Sequence, residues 1–231
     1  MIAKQDTADI WENIFLENEW GKYPPVSIIK FVAKNFYKVE DKGKIKILEI
    51  GSGAGANLWF MAREGFTVYG IDFSKSACDR LIKRFEKESL SDRIGEGGVL
   101  VGDYYDQLQG FEDGFFDAIV DVESLYCNSF EKSKAIIEIS LKKLKTGGRM
   151  FSQTFSEKTW GFQEMIDVDY HASFPNEGPL ASKGYARYTT REDIEKLYKT
   201  KNSIIKNVEL QELHLNNGKS ISEYLIEVEK I

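Results

Sequence analysis

The stretch Lys46-Ile47-Leu48-Glu49-Ile50-Gly51-Ser52-Gly53-Ala54-Gly55-Ala56-Asn57 sets the tightest limits on what this chain folds into. An apolar run enters a cluster of glycines and leaves it on Leu58, Met61 and Ala62, a change of period that predicts strand, tight turn and helix. Gly51 and Gly53 let the backbone bend sharply and approach a ligand that a Cβ would push away. The first N–H groups of the next helix point at the same spot. Such a turn binds nucleotides, and the acidic residues around it discriminate between them.

Strand and helix patterns alternate from there on. Gly65 stops the first helix, and residues 66–72 form a strand whose last residue, Asp72, stands about 20 positions after Gly51, the spacing at which a carboxylate receives ribose hydroxyls. Ser74 caps a helix through about residue 88 with an apolar stripe at Ala77, Leu81 and Phe85, where Cys78 reads as a buried small residue. Residues 98–103 and 116–123 repeat the design of an apolar run ending in acidic residues. A helix over 131–145 closes at Thr146-Gly147-Gly148, and 149–155 reads as the fifth strand. Carboxylates at successive strand ends gather along one edge of a parallel sheet, where α/β proteins bind ligands.

The flanks differ in texture. Ile10, Trp11, Ile14 and Phe15 lie at helical spacing over residues 9–19, and Pro24-Pro25 opens a second helix to about residue 37. Trp20 and Tyr23, between them, are candidates for a segment folded over the ligand mouth. Residues 156–187 are irregular and aromatic, with Trp160, Phe162, Tyr170, His171, Phe174 and Tyr185, which suits a lid better than a linker. Thr189 and Thr190, with Glu192 and Asp193 three residues on, start another helix. Two strands, 204–213 and 223–228, follow, and the tight link Asn216-Asn217-Gly218 makes the last antiparallel to its neighbour. The expected organisation is one domain over 1–231: a helical cap at 1–43, a cofactor-binding core at 44–155, a lid at 156–190, and a helix with a β-hairpin at 191–231.

The 231 residues, 42% hydrophobic and 13% aromatic, suffice for one full α/β core. Lys and Arg number 31 against 37 Asp and Glu, a net charge of −6, which argues against a polyanionic partner because phosphate contacts need concentrated basic surface. Cys78 and Cys127 are far apart, only His171 and His214 offer imidazoles, and no metal-ligand spacing surrounds them. No uncharged stretch approaches ~20 residues and Met1 to Asp6 show no apolar leader, so the expectation is a cytoplasmic, metal-free protein with no membrane contact.

Residues 45–155 resemble the class I S-adenosylmethionine-dependent methyltransferases. The resemblance rests on Glu49 two residues before the glycine turn, on Asp72 in Gly70-Ile71-Asp72-Phe73-Ser74, on Asp103 in Gly102-Asp103-Tyr104, and on strand 116–121. The approach Leu144-Lys145-Thr146-Gly147-Gly148-Arg149 belongs to it too, with Thr146 where the family commonly has Pro. It implies a Rossmann-like, doubly wound, seven-stranded and mostly parallel sheet with an antiparallel final strand and N-terminal helices. S-adenosyl-L-methionine is the implied cofactor and S-adenosyl-L-homocysteine its product. The berth would comprise Glu49, Gly51, Ser52, Gly53, Gly55, Asn57, Asp72, Phe73, Asp103, Tyr104, Asp121 and Val122. A cationic sulfonium bearing hydroxyls and an amino group, with no phosphate to neutralise, suits such a row of carboxylates.

Two alternatives stay open at this point. Gly51-Ser52-Gly53-Ala54-Gly55-Ala56 also satisfies the permissive G-x-G-x-x-A fingerprint of NAD(P)-dependent oxidoreductases, against which stand Glu49, Asp103 and the lack of a second mononucleotide-binding half. The other is a non-catalytic S-adenosylmethionine-binding protein. Methyl transfer is a direct in-line displacement that needs no nucleophilic side chain. Where the acceptor is a hydroxyl or a protonated amine a base helps, and His171, Glu123 and Asp121 are the candidates, the latter two on one side of an extended strand end. There is no Asn/Asp-Pro-Pro-Tyr/Phe box of the kind found in nucleobase amino-group methylation, since Tyr23-Pro24-Pro25 has another order. Tyr126, Trp160, Tyr170, Tyr185 and Tyr188 suit an aromatic cap over a small organic acceptor. The expectation is therefore O- or N-methylation of a small molecule, with no nucleic acid as partner.

Overall fold

Strands that are apolar on both faces must be covered on both faces, and that requirement organises the chain. In the computed structural model, which describes residues 7–19, 21–165 and 167–231, α1 (Thr7–Glu17) and α2 (Val26–Phe36) precede β1 (Lys46–Ile50), α3 (Ala56–Arg63), β2 (Thr67–Asp72), α4 (Lys75–Lys87) and β3 (Ile94–Val101). There follow α5 (Tyr104–Gln109), β4 (Phe116–Val122), α6 (Phe130–Lys143) and β5 (Leu144–Phe155). A two-residue ladder of β6 (Ala172–Ser173) and β7 (Ala186–Arg187), then α7 (Arg191–Tyr198), β8 (Ser203–His214) and β9 (Ser220–Lys230), complete the chain. The seven-stranded sheet has the order β3-β2-β1-β4-β5-β9-β8. The first five strands are parallel, and β9 is antiparallel to both β5 and β8, between which it is inserted. Trp20, one of the two aromatics assigned above to the ligand mouth, and Met1 to Asp6 lie outside the described residues.

Alternation along each strand divides the core. Leu48, Ile50, Ile71, Ile119 and Met150 face Leu108, Ile136, Leu141, Ile194 and Leu197 of α5, α6 and α7. Ile47, Val68, Ala118, Val120 and Phe151 face Phe31, Val32, Leu58, Met61, Leu81 and Phe85 of α2, α3 and α4. Ala118 apart, each such buried side chain contributes roughly 1.5–3 kcal/mol of transfer free energy. The sheet is thus doubly wound, and its strand ends open at the crevice between β1 and β4, where the two directions of winding part.

Three boundaries differ from the sequence expectation. β3 starts at Ile94, and Asp103 stands beyond it as the N-cap of α5, a helix without a sequence signal because its six residues, Tyr104 to Gln109, are too few for a period. α6 ends at Lys143 and β5 begins at once. Its pairing with β4 jumps from Phe116↔Leu144 to Ala118↔Arg149, so residues 145–148 bulge out around Gly147 at φ +79°. Segment 156–190 carries the β6–β7 ladder. Among the described residues no helix is long and apolar enough to cross a membrane.

Candidate functional site

The glycine turn is held from two sides. The N–H groups of Gly51 and Ser52 donate to the Ile71 carbonyl at 2.8 and 3.1 Å. Asp72 accepts from Gly53 N–H through Oδ2 and from Ser74 N–H through Oδ1, both at 2.8 Å. Burial raises the pKa of Asp72, and those two N–H groups offset part of the rise. Gly51, Gly53 and Gly55 all have positive φ, at +71°, +49° and +81°. A Cβ on Gly51 would lie 2.2 Å from Cβ of Ser124, and one on Gly55 would lie 2.5 Å from Cγ of Leu81. The glycines therefore let the turn pack against the protein itself, a reason for them that the sequence does not display.

Around the turn, buried polar atoms stand without partners. Glu49, 2% exposed, accepts from Asn57 Nδ2 at 2.5 Å through Oε1. Its Oε2, Asn57 Oδ1 and Ser52 Oγ have no hydrogen bond. Burial pushes the Glu49 carboxyl well above the usual range, offset in part by Asn57 and reinforced by Asp72 and Asp121. Clustered on one wall of a cavity, three such unpaired atoms suit a ligand that supplies donors or positive charge. All three side chains line a cavity of about 1020 Å³ that also meets Gly51, Gly53, Asp72, Phe73, Asp103, Tyr104 and Val122.

Asp103 comes to the same wall, but occupied. Its Oδ1 caps α5 through Tyr105 N–H at 2.9 Å and Asp106 N–H at 3.3 Å, and its Oδ2 accepts from Lys132 Nζ. Burial alone would raise its pKa, and the Lys132 ammonium and the cap hydrogen bonds bring it below the usual range.

The three candidate bases part company. Asp121 is fully buried and outside the cavity lining. Its Oδ1 accepts from Ser124 Oγ at 2.7 Å and from the N–H groups of Ser124 and Leu125, and its Oδ2 from Ser152 Oγ, to which Tyr198 OH donates at 2.8 Å. Asp121 therefore builds the turn after β4. His171 likewise lies off the cavity lining: it pairs through Nδ1 with buried Asp193 at 2.8 Å and stacks on Tyr170, whose hydroxyl also donates to Asp193. It ties segment 156–190 to the capping box of α7. Glu123 alone reaches the cavity, because it sits at φ +53°, so the strand alternation that would place it beside Asp121 breaks there.

The rest of the cavity lining includes Trp11, Phe15, Tyr126, Phe174, Leu180, Lys183 and Tyr185. Phe15 closes over the turn, its Cζ 3.1 Å from where a Gly53 Cβ would stand. Sequence periodicity offers Trp11 and Phe15 only as core. Gln153 and Glu223, which stand behind Glu123, gave no sequence signal at all, since each reads as a polar residue in a strand.

Residues 47–148 match the family described as a methyltransferase domain. Among curated proteins, a tRNA N(3)-methylcytidine methyltransferase of Schizosaccharomyces pombe is 24% identical over 236 residues, covering 93% of this chain and 70% of its own. Among solved structures, a SAM-dependent methyltransferase from Methanosarcina mazei superposes with a TM-score of 0.67 at 19% identity, over 84% of this chain and 94% of that one. Magnesium protoporphyrin IX methyltransferase from Synechocystis, with bound SAM, gives 0.67 at 13% identity over the whole of both chains. The yeast relative overturns the expectation of a small-molecule acceptor with no nucleic acid as partner. That expectation weighed the net charge of the whole chain, which bears on gripping a polyanion and not on admitting one base to a cavity.

Proposed function

We infer the acceptor from one premise: this chain carries the methyltransferase domain of a class I S-adenosylmethionine-dependent enzyme. The site fits that cofactor. The orphaned carboxyl oxygen of Glu49 suits a cationic amino-acid end, the two-oxygen acceptor Asp72 suits ribose hydroxyls, and Phe73 with Tyr104, ring centroids 5.0 Å apart, suits a flat base. When bound, the cofactor supplies an electrophilic methyl group, whose C–S electron pair leaves with sulfur as an acceptor lone pair forms the new bond.

The acceptor proposed is a ring nitrogen of a pyrimidine base in RNA. The likeness of 93% of this chain to a tRNA N(3)-methylcytidine methyltransferase is the observation that carries this reading. The cavity supports it: Trp11, Tyr126, Phe174 and Tyr185 offer ring faces and edges to a base taken out of its stack, and they lie on the lining that runs on from the glycine turn. A pyridine-type ring nitrogen has a free lone pair at neutral pH, so nothing needs to deprotonate it. The chain's work is then to position the base, exclude water and hold the reacting atoms in line. The burial of Asp121 and the engagement of His171 with Asp193 agree with a reaction that needs no general base.

With a net charge of −6, affinity comes from stacking, about 1–3 kcal/mol per base, more than from phosphate contacts. The test is incubation with methyl-labelled cofactor and tRNA, then digestion to nucleosides. Label in a methylated pyrimidine is expected, with a shallow dependence on salt. Label confined to another nucleoside, to protein or to the metabolite fraction overturns the assignment.

A further inference from the structure

Glu123, on the lining of the cavity, caps no helix and makes no ion pair between side chains among the described residues. It is a non-glycine residue at φ +53°, a conformation that costs about 1–2 kcal/mol, and it lies on the cavity where Asp121 does not. Glu123 is an exposed residue whose carboxyl opens to the cavity, while protein atoms crowd around it on the side of β5 and β9. Behind it stands a second carboxyl, Glu223 of β9, 8% exposed and brought near it by a shared partner. Gln153 of β5 clamps the two: its Nε2 donates to Glu123 Oε1 at 3.2 Å and to Glu223 Oε1 at 3.1 Å. The amide is fixed in that orientation because Ser27 Oγ of α2 donates to its Oε1 at 2.6 Å. The orphaned Glu49, Ser52 and Asn57 atoms mark the same cavity as a ligand site independently of this pair.

We propose that Glu123 and Glu223, clamped by Gln153, share one proton, so that Glu123 meets the acceptor as a hydrogen-bond donor to a carbonyl oxygen beside the methylated nitrogen, and not as a base. The proposal rests on the reading of the acceptor as a pyrimidine, which places a ring carbonyl next to such a nitrogen. Two carboxyls held by the same amide do not both ionise readily. Burial, then the charge and hydrogen bond of Glu223, push Glu123 up to about 8, with Asp121 adding to the rise and Lys183 opposing it. Among the described residues Tyr126, on the turn after β4, also feels the charge of Glu123 and is neutral at that pH, since burial raises its pKa. A shared proton also suits the substrate, because an ionised carboxylate would repel the lone pairs of a carbonyl that a carboxylic acid attracts. Glu123 is thus a specificity residue, and Glu223 and Gln153 are positioning residues that act through it.

The test has two arms, applied to wild type, Glu123→Ala, Glu123→Gln and Glu223→Gln. Infrared difference spectra over a pH titration of the protein with S-adenosylhomocysteine read the protonated carboxyl without any acceptor. A protonated-carboxyl signal persisting to about pH 8 is expected in wild type, with its loss in Glu123→Gln and a shift to lower pH in Glu223→Gln. Steady-state kinetics on tRNA form the other arm. KM is expected to rise above about pH 8 in wild type and at lower pH in Glu223→Gln. Glu123→Ala raises KM about tenfold, the worth of one buried hydrogen bond, and Glu123→Gln, a permanent donor, restores most of that loss and flattens the alkaline limb. A carboxyl already ionised at pH 6 in wild type, or Glu123→Gln as impaired as Glu123→Ala with wild-type kcat climbing as pH rises, overturns the proposal. Failure of tRNA as a substrate overturns the acceptor reading and, with it, the carbonyl contact, while the infrared arm separately decides whether the proton is shared.

Discussion

Replacing Glu49 by Gln separates the cost of the empty site from its use. In the free protein Glu49 is 2% exposed with one oxygen lacking any partner, and leaving a buried polar group unsatisfied costs about 1–3 kcal/mol. Its pKa in the folded state is raised well above 4.5 by burial. The folded protein therefore binds more protons than the unfolded chain between 4.5 and that higher value. The stability contributed by this group is full below 4.5 and is lost as pH rises through the folded value. Gln keeps a carbonyl for Asn57 Nδ2 and cannot ionise. Free Glu49→Gln is expected to be more stable than wild type at neutral pH, because it has no proton to take up on folding, with a flatter dependence of stability on pH.

Ligand reverses the order. S-adenosylhomocysteine at 100 times its dissociation constant adds about 2.7 kcal/mol to wild type. A lost charge-assisted hydrogen bond weakens binding roughly 10- to 100-fold, which leaves the variant about 0.4–1.4 kcal/mol from the same ligand concentration. Urea unfolding with and without S-adenosylhomocysteine at several pH values measures both effects. A free variant less stable than wild type, or one that gains the full ligand increment, refutes the view that Glu49 is held strained for a cationic ligand.

Gly51→Ala should cost about 2–5 kcal/mol, from a left-handed backbone and a Cβ 2.2 Å from that of Ser124, and a urea midpoint within error of wild type would show that the turn re-forms elsewhere. Asp72→Ala removes the acceptor that pins Gly53 and Ser74, so S-adenosylhomocysteine affinity by calorimetry should fall at least about tenfold; unchanged affinity removes Asp72 from the berth. Ser152→Ala leaves Asp121 short of a donor and Tyr198 OH short of an acceptor, about 1–3 kcal/mol, and combination with Tyr198→Phe should cost less than the sum; strict additivity would mean the three do not act together. Arg80 donates to the carbonyls of Leu16 and Asn18, and Arg84 to that of Lys22, so the double change to Ala should speed S-adenosylhomocysteine release in stopped flow with little change in unfolding midpoint.

The parts legible in advance were those that local chemistry writes into consecutive residues. The glycine turn, the run of parallel strands, the caps at Ser74 and Thr190 and the antiparallel last strand each follow from a period, a cap or a tight connection within a dozen positions. Glu49, Ser52, Asn57, Asp72, Phe73, Asp103, Tyr104 and Val122 meet on one cavity because parallel strands deliver their ends to one edge. Residue roles were harder to read. Asp121 and Glu123 look equivalent along an extended strand, and one positive φ sends them to different places.

What the chain order alone determines here is a sheet with acidic tips beside a bare turn, since side-chain period and backbone freedom act over a few residues. What the tertiary structure alone decides is which carboxyls are spent on the fold and which face the cavity. The insertion of β9 next to β5 brings Glu223 to Gln153, and the pairing of β5 with β4 brings Gln153 to Glu123. Strand adjacency is set by the burial of whole faces, a property of the assembled core, and no segment read singly contains it.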